Sequence, residues 1–563
     1  MKEYFQLFKA RIINQKHSFY WLFTFFCCAF TWFLFFTPSD GLWYDECFTL
    51  FHSQGSLEDI IKVSTWDSNP PLYLILVKKW LSIVSYSEFN LRFLGVLFSA
   101  TFISFGAFWI KKTYGIFAGL FVFFMLIFSE VTLEYAHEAR VYSMLFFLIV
   151  LNSFSMVRLV QKPNILIGIL IGVINSIVFF SHYIEGIIVL IQCVFLFFVL
   201  ISKDFTLKNK LKSTFYYLIS LSIFLYFVNK WKFLFLELIG KGGNNIVPPP
   251  QWSDIPRVIY ELLNHNVIFS GLTFLIFLFG CYQLLDQFKT ISKNQKWTFI
   301  YFILLVFVSF TTIYIVSYKA PMFCRRYLMF TLFSLFSIVA IVVSKLKNDQ
   351  LKYVLFFGLI VVFISTNSFQ TSKQMQVKNA VNFIKKHKTS KTLVIIQSKD
   401  IVSNFALYYN FSIFRKYFLL EEQLTKKSIV AFNDANSFLK SINLNDYEKV
   451  FLFQVFENAV DPQQFVLKYL NDELQLTKSI KSFRGIKLIE FSTQSDSYTS
   501  SNSLKNGNKL QLNFYKQKIV SDVNWFAHIK KKAKSQNMSL DSTFRNECLW
   551  LIKEDENNLK AIK

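Results

Sequence analysis

The chain alternates between long runs that carry almost no charge and short polar interruptions. A helix that crosses a membrane needs about 20 apolar residues, in a range of about 17–25. Runs of this kind fall at 18–37, 92–110, 114–130, 141–158, 164–181, 184–202, 214–231, 267–285, 298–317, 327–345 and 352–369. They predict an α-helical polytopic membrane protein with about eleven spans. One more apolar run, 70–86 ("PPLYLILVKKWLSIVSY"), is short and has Lys78 and Lys79 in its middle. Two lysines at mid-membrane depth would cost roughly 2.5–3.5 kcal/mol each. This run therefore reads as an amphipathic helix along the membrane surface, with its lysines snorkelling to water.

The pattern changes after residue 370. "QVKNAVNFIKKHKTSKTLVIIQS" reads as an amphipathic helix followed by a buried strand. "VSNFALYYN", "YEKVFLFQVF", "PQQFVLKYLNDE" and "IKLIEFS" continue the alternation, which predicts a small α/β domain over 375–493. A Ser/Asn-rich linker (494–518) and a helical tail (519–563), broken at "SQNMSLD", follow.

Composition agrees with a membrane protein. At 53% hydrophobic, the chain exposes more apolar surface than a soluble domain can hide. A net charge of +24 raises nucleic acid as a partner, but the basic residues gather between spans and form no recognisable nucleic-acid motif. No nucleic-acid role is expected. The seven cysteines contain no C-x-x-C pair and suggest neither a disulfide framework nor a zinc site. The basic N-terminus precedes an apolar run without a small-residue cleavage site and reads as a signal anchor.

Charge also orients the spans. With the N-terminus in the cytoplasm, the cytoplasmic segments hold Lys2, Lys9, Arg11 and Lys16, then Lys111 and Lys112, Arg158 and Lys162, Lys203 to Lys212, Lys289 to Lys296, and Lys345 to Lys352. That is the bias expected of cytoplasmic loops. Counting 70–86 as a span would invert every later loop. The first loop (38–91) and the α/β domain are thus expected outside the cytoplasm.

On this topology the outer face collects polar groups. The first loop supplies Asp45, Glu46, Asp67 and Asn69; the second, Glu130, Glu134, His137, Glu138, Arg140 and Tyr142. "SHYIEG" adds His182, Tyr183 and Glu185, and "YKAPMFCRRY" adds Lys319, Arg325, Arg326 and Tyr327. Carboxylates and cations at one boundary suit an anionic lipid head group held by arginine, with an acid acting as base on an incoming nucleophile. The plainer readings stand beside this one. A "DE" pair is commonly solvated surface, Arg325 and Arg326 can anchor a helix end, and His182-Tyr183 can sit in an interface belt. A polytopic transporter or lipid flippase of envelope glycan precursors is the alternative function, although no internal repeat is visible. A non-catalytic assembly scaffold is a third.

Four motifs in order, "WYDE", "NPPLYLILVKKWLSIVSYSEFNLRFLGVLFSA", "YAHEARVYSMLFFL" and "RRYLMFTLFSL", resemble the bacterial C-type membrane glycosyltransferases related to protein O-mannosyltransferases and lipid A aminoarabinose transferases. The resemblance covers roughly residues 15–370. It implies an inverting transferase that takes a sugar from a polyprenyl-phosphate carrier to an acceptor hydroxyl or phosphate, on a lipid, glycan or protein, at the outer face of the inner membrane. It makes Asp45 the expected base, with Glu46 beside it, and Glu138 the second-loop acid of the motif that also holds Arg140 and Tyr142. Arg92 matches an arginine after the surface helix and, with Arg140, Tyr142, His182, Tyr183, Arg325 and Asn69, is a candidate to bind the substrate or the carrier phosphate, while Arg326 and Tyr327 match an "RY" expected to contact the carrier phosphate. One departure is Asn69, where the family commonly has His or Lys before the proline pair, so a phosphate role there rests on an uncharged side chain. Relatives differ in metal use. No His/Cys ligand set stands out, so no obligatory metal or other cofactor is expected. The central geometric expectation is that Asp45 and Arg326 converge on one pocket.

Overall fold

The computed structural model describes residues 2–64, 69–240, 249–287, 291–369, 371, 375–455, 460–474 and 479–492, with isolated positions between 529 and 548. The expected linker, most of the expected helical tail, and Asp67 lie outside the described residues. The chain divides into two compact units. The first comprises Met1–Lys378 with Asn410–Phe418, and the second Asn379–Tyr409 with Leu419–Lys563.

Among the described residues, the regular structure of the first unit is all helical. Its elements are α1 (Lys2–Phe35), α2 (Tyr44–Ser53), α3 (Leu57–Val63), α4 (Leu72–Val84), α5 (Glu88–Tyr114) and α6 (Ile116–Ile127). Next come α7 (Glu130–Ala136), α8 (Tyr142–Gln161), α9 (Ile165–Phe179), α10 (Glu185–Ile201), α11 (Leu207–Gly240) and α12 (Asp254–Leu262). The last are α13 (Val267–Gln287), α14 (Lys293–Val316), α15 (Arg325–Leu328), α16 (Leu332–Ser344) and α17 (Asp349–Ser365). Every expected apolar run lies on a helix, but the number of spans is less definite than the pattern implied. Among the described residues, 6 helices are long and apolar enough to cross a membrane, or up to 8 if each bent pair is one span. The run expected at 114–130 breaks between α6 and α7 with a bend of 62°. Ser129 causes the break: its hydroxyl accepts from Thr132 N and starts a new helix. The second bent pair, α12 with the start of α13, turns by 100°.

Bulky apolar side chains such as Leu166, Phe197, Phe307 and Phe357 are exposed on the outside of the bundle, as lipid-facing residues must be. Inside, helices meet through small residues and amides. A Cβ added at Gly168 would lie 2.5 Å from Tyr216 O, so α9 and α11 approach backbone to backbone. Asn152 on α8 donates to Asn175 on α9 at 2.6 Å, and Gln192 on α10 donates to Asn152 at 2.9 Å. Tyr217 on α11 donates to Gln192 at 3.2 Å. These buried polar groups join four helices.

Helix α4 follows Pro70-Pro71 as expected, but Lys78 does more than snorkel. Its Nζ donates to Gly55 O at 2.6 Å and lies 3.5 Å from Gln54 O, closing the carbonyl end of α2.

The second unit holds a five-stranded sheet. Its strands are β1 (Thr392–Gln397), β2 (Ile429–Phe432), β3 (Lys449–Gln454), β4 (Ser479–Phe483) and β5 (Ile486–Ser492), in the order β2-β1-β3-β5-β4. β1 is parallel to both neighbours, whereas β5 is antiparallel to β3 and β4. Every residue of β1 is buried, which explains its unbroken apolar run.

Candidate active site

Asp45 and Glu46 are adjacent in the first turn of α2, where a helix N-terminus favours negative charge. A helix points consecutive side chains in different directions, and these two carboxylates have different partners. Glu46 is 1% exposed and takes Arg92 in a two-point pair, Nε to Oε1 at 2.8 Å and Nη2 to Oε2 at 2.7 Å. Glu46 also accepts from Trp43 N at 3.3 Å and from Ala139 N at 3.1 Å.

Arg92 is itself 1% exposed. Beyond Glu46, its Nη1 donates to Pro38 O (3.1 Å) and Asp40 O (2.8 Å), and its Nη2 to Gly41 O (3.1 Å). A guanidinium has five N–H groups, and all five are engaged. Arg92 therefore leaves no donor for a carrier phosphate, contrary to the expectation drawn from the resemblance. Glu46 for its part binds the first loop to the turn after α7. Gly95 permits this arrangement, because a Cβ there would fall 2.6 Å from Ala136 O. Helix α5 can thus carry Arg92 up to the turn that contains Glu138.

Asp45 faces the other way. Its Oδ2 lies 3.4 Å from Arg326 Nη1, with side chains 15% and 32% exposed respectively. That oxygen is buried and makes no hydrogen bond among the described residues. The Arg326 guanidinium stands 6.0 Å from the Trp43 ring and 5.9 Å from the Tyr142 ring. The first-loop acid and the late arginine, 281 positions apart, thus meet. Arg325 turns elsewhere, to Glu134 at 2.5 Å. Of the two neighbouring arginines, one closes a tight pair and the other a slack one.

The second loop supplies Glu138, which is buried at 3% exposure, and Arg140. Arg140 Nη1 reaches Thr49 Oγ1 at 3.4 Å, and its guanidinium lies 5.9 Å from the Phe48 ring. Tyr142 opens α8, with its ring 6.4 Å from His182, which is 5.8 Å from Tyr327. Burial, with help from Arg140 and Arg326, lowers the His182 pKa to about 4. His182 is therefore neutral at physiological pH and offers hydrogen bonds in place of the charge a phosphate ligand would supply. Tyr183 is turned away: its hydroxyl accepts from Trp231 Nε1 at 3.1 Å. Asn69 is half-buried just before the proline pair.

A small pocket is lined by Tyr142, His182, Arg326 and Tyr327 together with Leu145, Phe146 and Ile149. Residues 142, 145, 146 and 149 follow helical spacing, so one face of α8 lines it with both polar and apolar side chains. Among the described residues no three His, Cys, Asp or Glu side chains gather to hold a metal ion.

Tyr73 escaped the sequence reading. It is 5% exposed, in the first turn of α4, and its hydroxyl finds no hydrogen-bond partner among the described residues. Burial raises its pKa well above the usual phenol value, opposed by Arg140 and assisted by Glu46 and Glu138. Its position straight after Asn69-Pro70-Pro71-Leu72 was the available signal.

No protein-family model matches the sequence, and no curated protein matches it. Solved structures do. ArnT from Cupriavidus metallidurans bound to undecaprenyl phosphate is 12% identical at a TM-score of 0.52, covering 84% of this chain and 98% of that one. The apo form of the same protein is 11% identical, with the same TM-score and coverage. An Archaeoglobus fulgidus oligosaccharyltransferase, in complex with Zn and sulfate, is 10% identical at a TM-score of 0.45 and covers 77% of this chain and 68% of its own. The chain is a polytopic membrane protein with the C-type glycosyltransferase fold of ArnT, a lipid A aminoarabinose transferase.

Proposed function

We propose that the protein is an inverting glycosyltransferase that moves a sugar from a polyprenyl-phosphate carrier to an acceptor on the outer face of the inner membrane. The observation that carries this reading is the meeting of Asp45 with Arg326 at 3.4 Å, with Arg326 also lining a small pocket beside Leu145, Phe146 and Ile149 of α8. An arginine next to apolar side chains suits the head of a lipid phosphate.

Asp45 takes the proton of an acceptor hydroxyl. The oxygen so exposed forms a bond to the anomeric carbon, on the face opposite the phosphate. The bond from that carbon to the phosphate oxygen breaks, and its electron pair leaves with the polyprenyl phosphate. Arg326 and Arg140 offset the charge that grows on the departing phosphate. Glu138 adds a carboxylate on the acceptor side. The ArnT structure bound to undecaprenyl phosphate supports a carrier of this class.

The test is transfer by membranes supplied with radiolabelled polyprenyl-phosphate sugars, one sugar at a time. Asp45→Asn is expected to lower transfer by roughly 10²–10⁴-fold, the usual contribution of a general base, in a protein that still inserts and purifies normally. Undiminished transfer by that variant would remove Asp45 as the base.

A further inference from the structure

We infer that Tyr73 is a further ligand of the carrier phosphate, donating its hydroxyl hydrogen to a phosphate oxygen beside Arg140 and Arg326. This rests on the carrier reading above and adds a residue to it.

A tyrosine hydroxyl taken out of water normally finds a partner, because leaving it without one is costly. Tyr73 is 5% exposed, yet its hydroxyl has no partner among the described residues. The surroundings are those of the site. Arg140, Glu46 and Glu138 all act electrostatically on the Tyr73 hydroxyl, and Arg140 and Arg326 act together on His182. The backbone fixes the approach: Leu72 N donates to Phe180 O at 3.0 Å, which fastens the start of α4 to the chain just before His182.

The kind of ligand follows from the hydroxyl's state. Burial and two nearby acids keep the phenol protonated, so it is a donor. A buried donor next to a guanidinium calls for an anionic oxygen. In the proposed reaction, where the acceptor is a hydroxyl, the carrier phosphate brings such an oxygen. A sugar hydroxyl would satisfy the donor but gain nothing from the arginines.

The experiment uses the full chain in detergent, titrated with undecaprenyl phosphate and followed by tryptophan fluorescence, since Trp43 lies 6.0 Å from Arg326. Tyr73→Phe is expected to weaken binding roughly tenfold, as for loss of a hydrogen bond to a charged group. Its Tm should equal or exceed that of the unmodified protein, because the oxygen removed has no hydrogen-bond partner among the described residues. Unchanged binding overturns the assignment. Weakened binding that comes with a matching fall in Tm also overturns it, since that marks a structural tyrosine. Arg326→Gln separates the two layers: if it binds as well as the unmodified protein, the carrier reading itself falls. If it is impaired while Tyr73→Phe is not, only the role of Tyr73 falls.

Discussion

Two adjacent carboxylates in one helical turn divide the labour of this site. Glu46 closes a fully buried, two-point pair with Arg92, whereas Asp45 is held 3.4 Å from a partly exposed guanidinium. Breaking a buried pair by removing one partner typically costs about 3–5 kcal/mol, because a buried charge is left behind. Glu46→Gln should therefore lower Tm and expression sharply. Arg92→Lys should not restore the arrangement, since an ammonium has three donors where five bonds are made. A thermal-shift series on the purified variants checks this, and a stable Arg92→Lys protein would contradict it. His182 makes a second prediction at this scale. Its imidazole titrates near 4 when folded and near the usual 6.5 when unfolded. Between those values the unfolded chain takes up a proton that the folded chain refuses, so stability falls as pH drops from about 6.5 towards 4. Above 6.5 the group contributes nothing to the pH dependence. His52, whose burial also lowers its pKa to about 4, acts with the same sign. Tm measured from pH 7 to 4.5 should decline less steeply in His182→Gln than in the unmodified protein.

At the scale of elements, the sequence was most informative where one physical requirement dominates. Hydrocarbon demands long uninterrupted helices, so the apolar runs marked the long helices, while the short α2, α3 and α12 lay outside them. It was less informative where a local competitor wins, as at Ser129, whose capping hydroxyl breaks an otherwise continuous run. In the second unit β1, β3 and β5 were legible as apolar stretches. β2 was missed because it has only four residues, and β4 because Lys481 and two serines interrupt it. The site shows the same limit. Asp45 and Arg326 were paired through the resemblance, but the Glu46–Arg92 bond was invisible, because both residues look like phosphate or acid chemistry until their partners are known. The amide clasp of Asn152, Asn175 and Gln192 yields a prediction of its own. Hydrogen bonds between membrane helices are worth about 0.6 kcal/mol on average and up to ~1.7 kcal/mol. Asn152→Leu should therefore cost a small, measurable loss of Tm in detergent while undecaprenyl phosphate binding persists. Loss of binding without loss of stability would instead place the clasp on a substrate path.

For the whole molecule, the functional reading depends on which side of the membrane the site occupies, and the argument for the outer side is electrostatic. Lys and Arg crowd alternate loops, and that alternation holds only if 70–86 does not cross. Helix α4, with 13 residues, is shorter than a span requires, and its Lys78 is bound to the end of α2. The arrangement has a direct consequence for labelling. Ser39, in the first loop, and Lys319, just before α15, are both exposed and are separated by an even number of expected spans. In a background with the native cysteines replaced, Ser39→Cys and Lys319→Cys should both react with a membrane-impermeant maleimide on intact cells. Lys112→Cys and Lys347→Cys, at the opposite ends of their helices and also exposed, should react only after permeabilisation. If 70–86 crossed the membrane, Ser39 and Lys319 would come out on opposite sides, and one of the first two variants would be silent. Asp45 lies six residues beyond Ser39 and Arg326 seven beyond Lys319. Opposite-side labelling would then require the Asp45–Arg326 pair to bridge the bilayer, which a 3.4 Å contact cannot do. The labelling pattern therefore tests the topology and the site together.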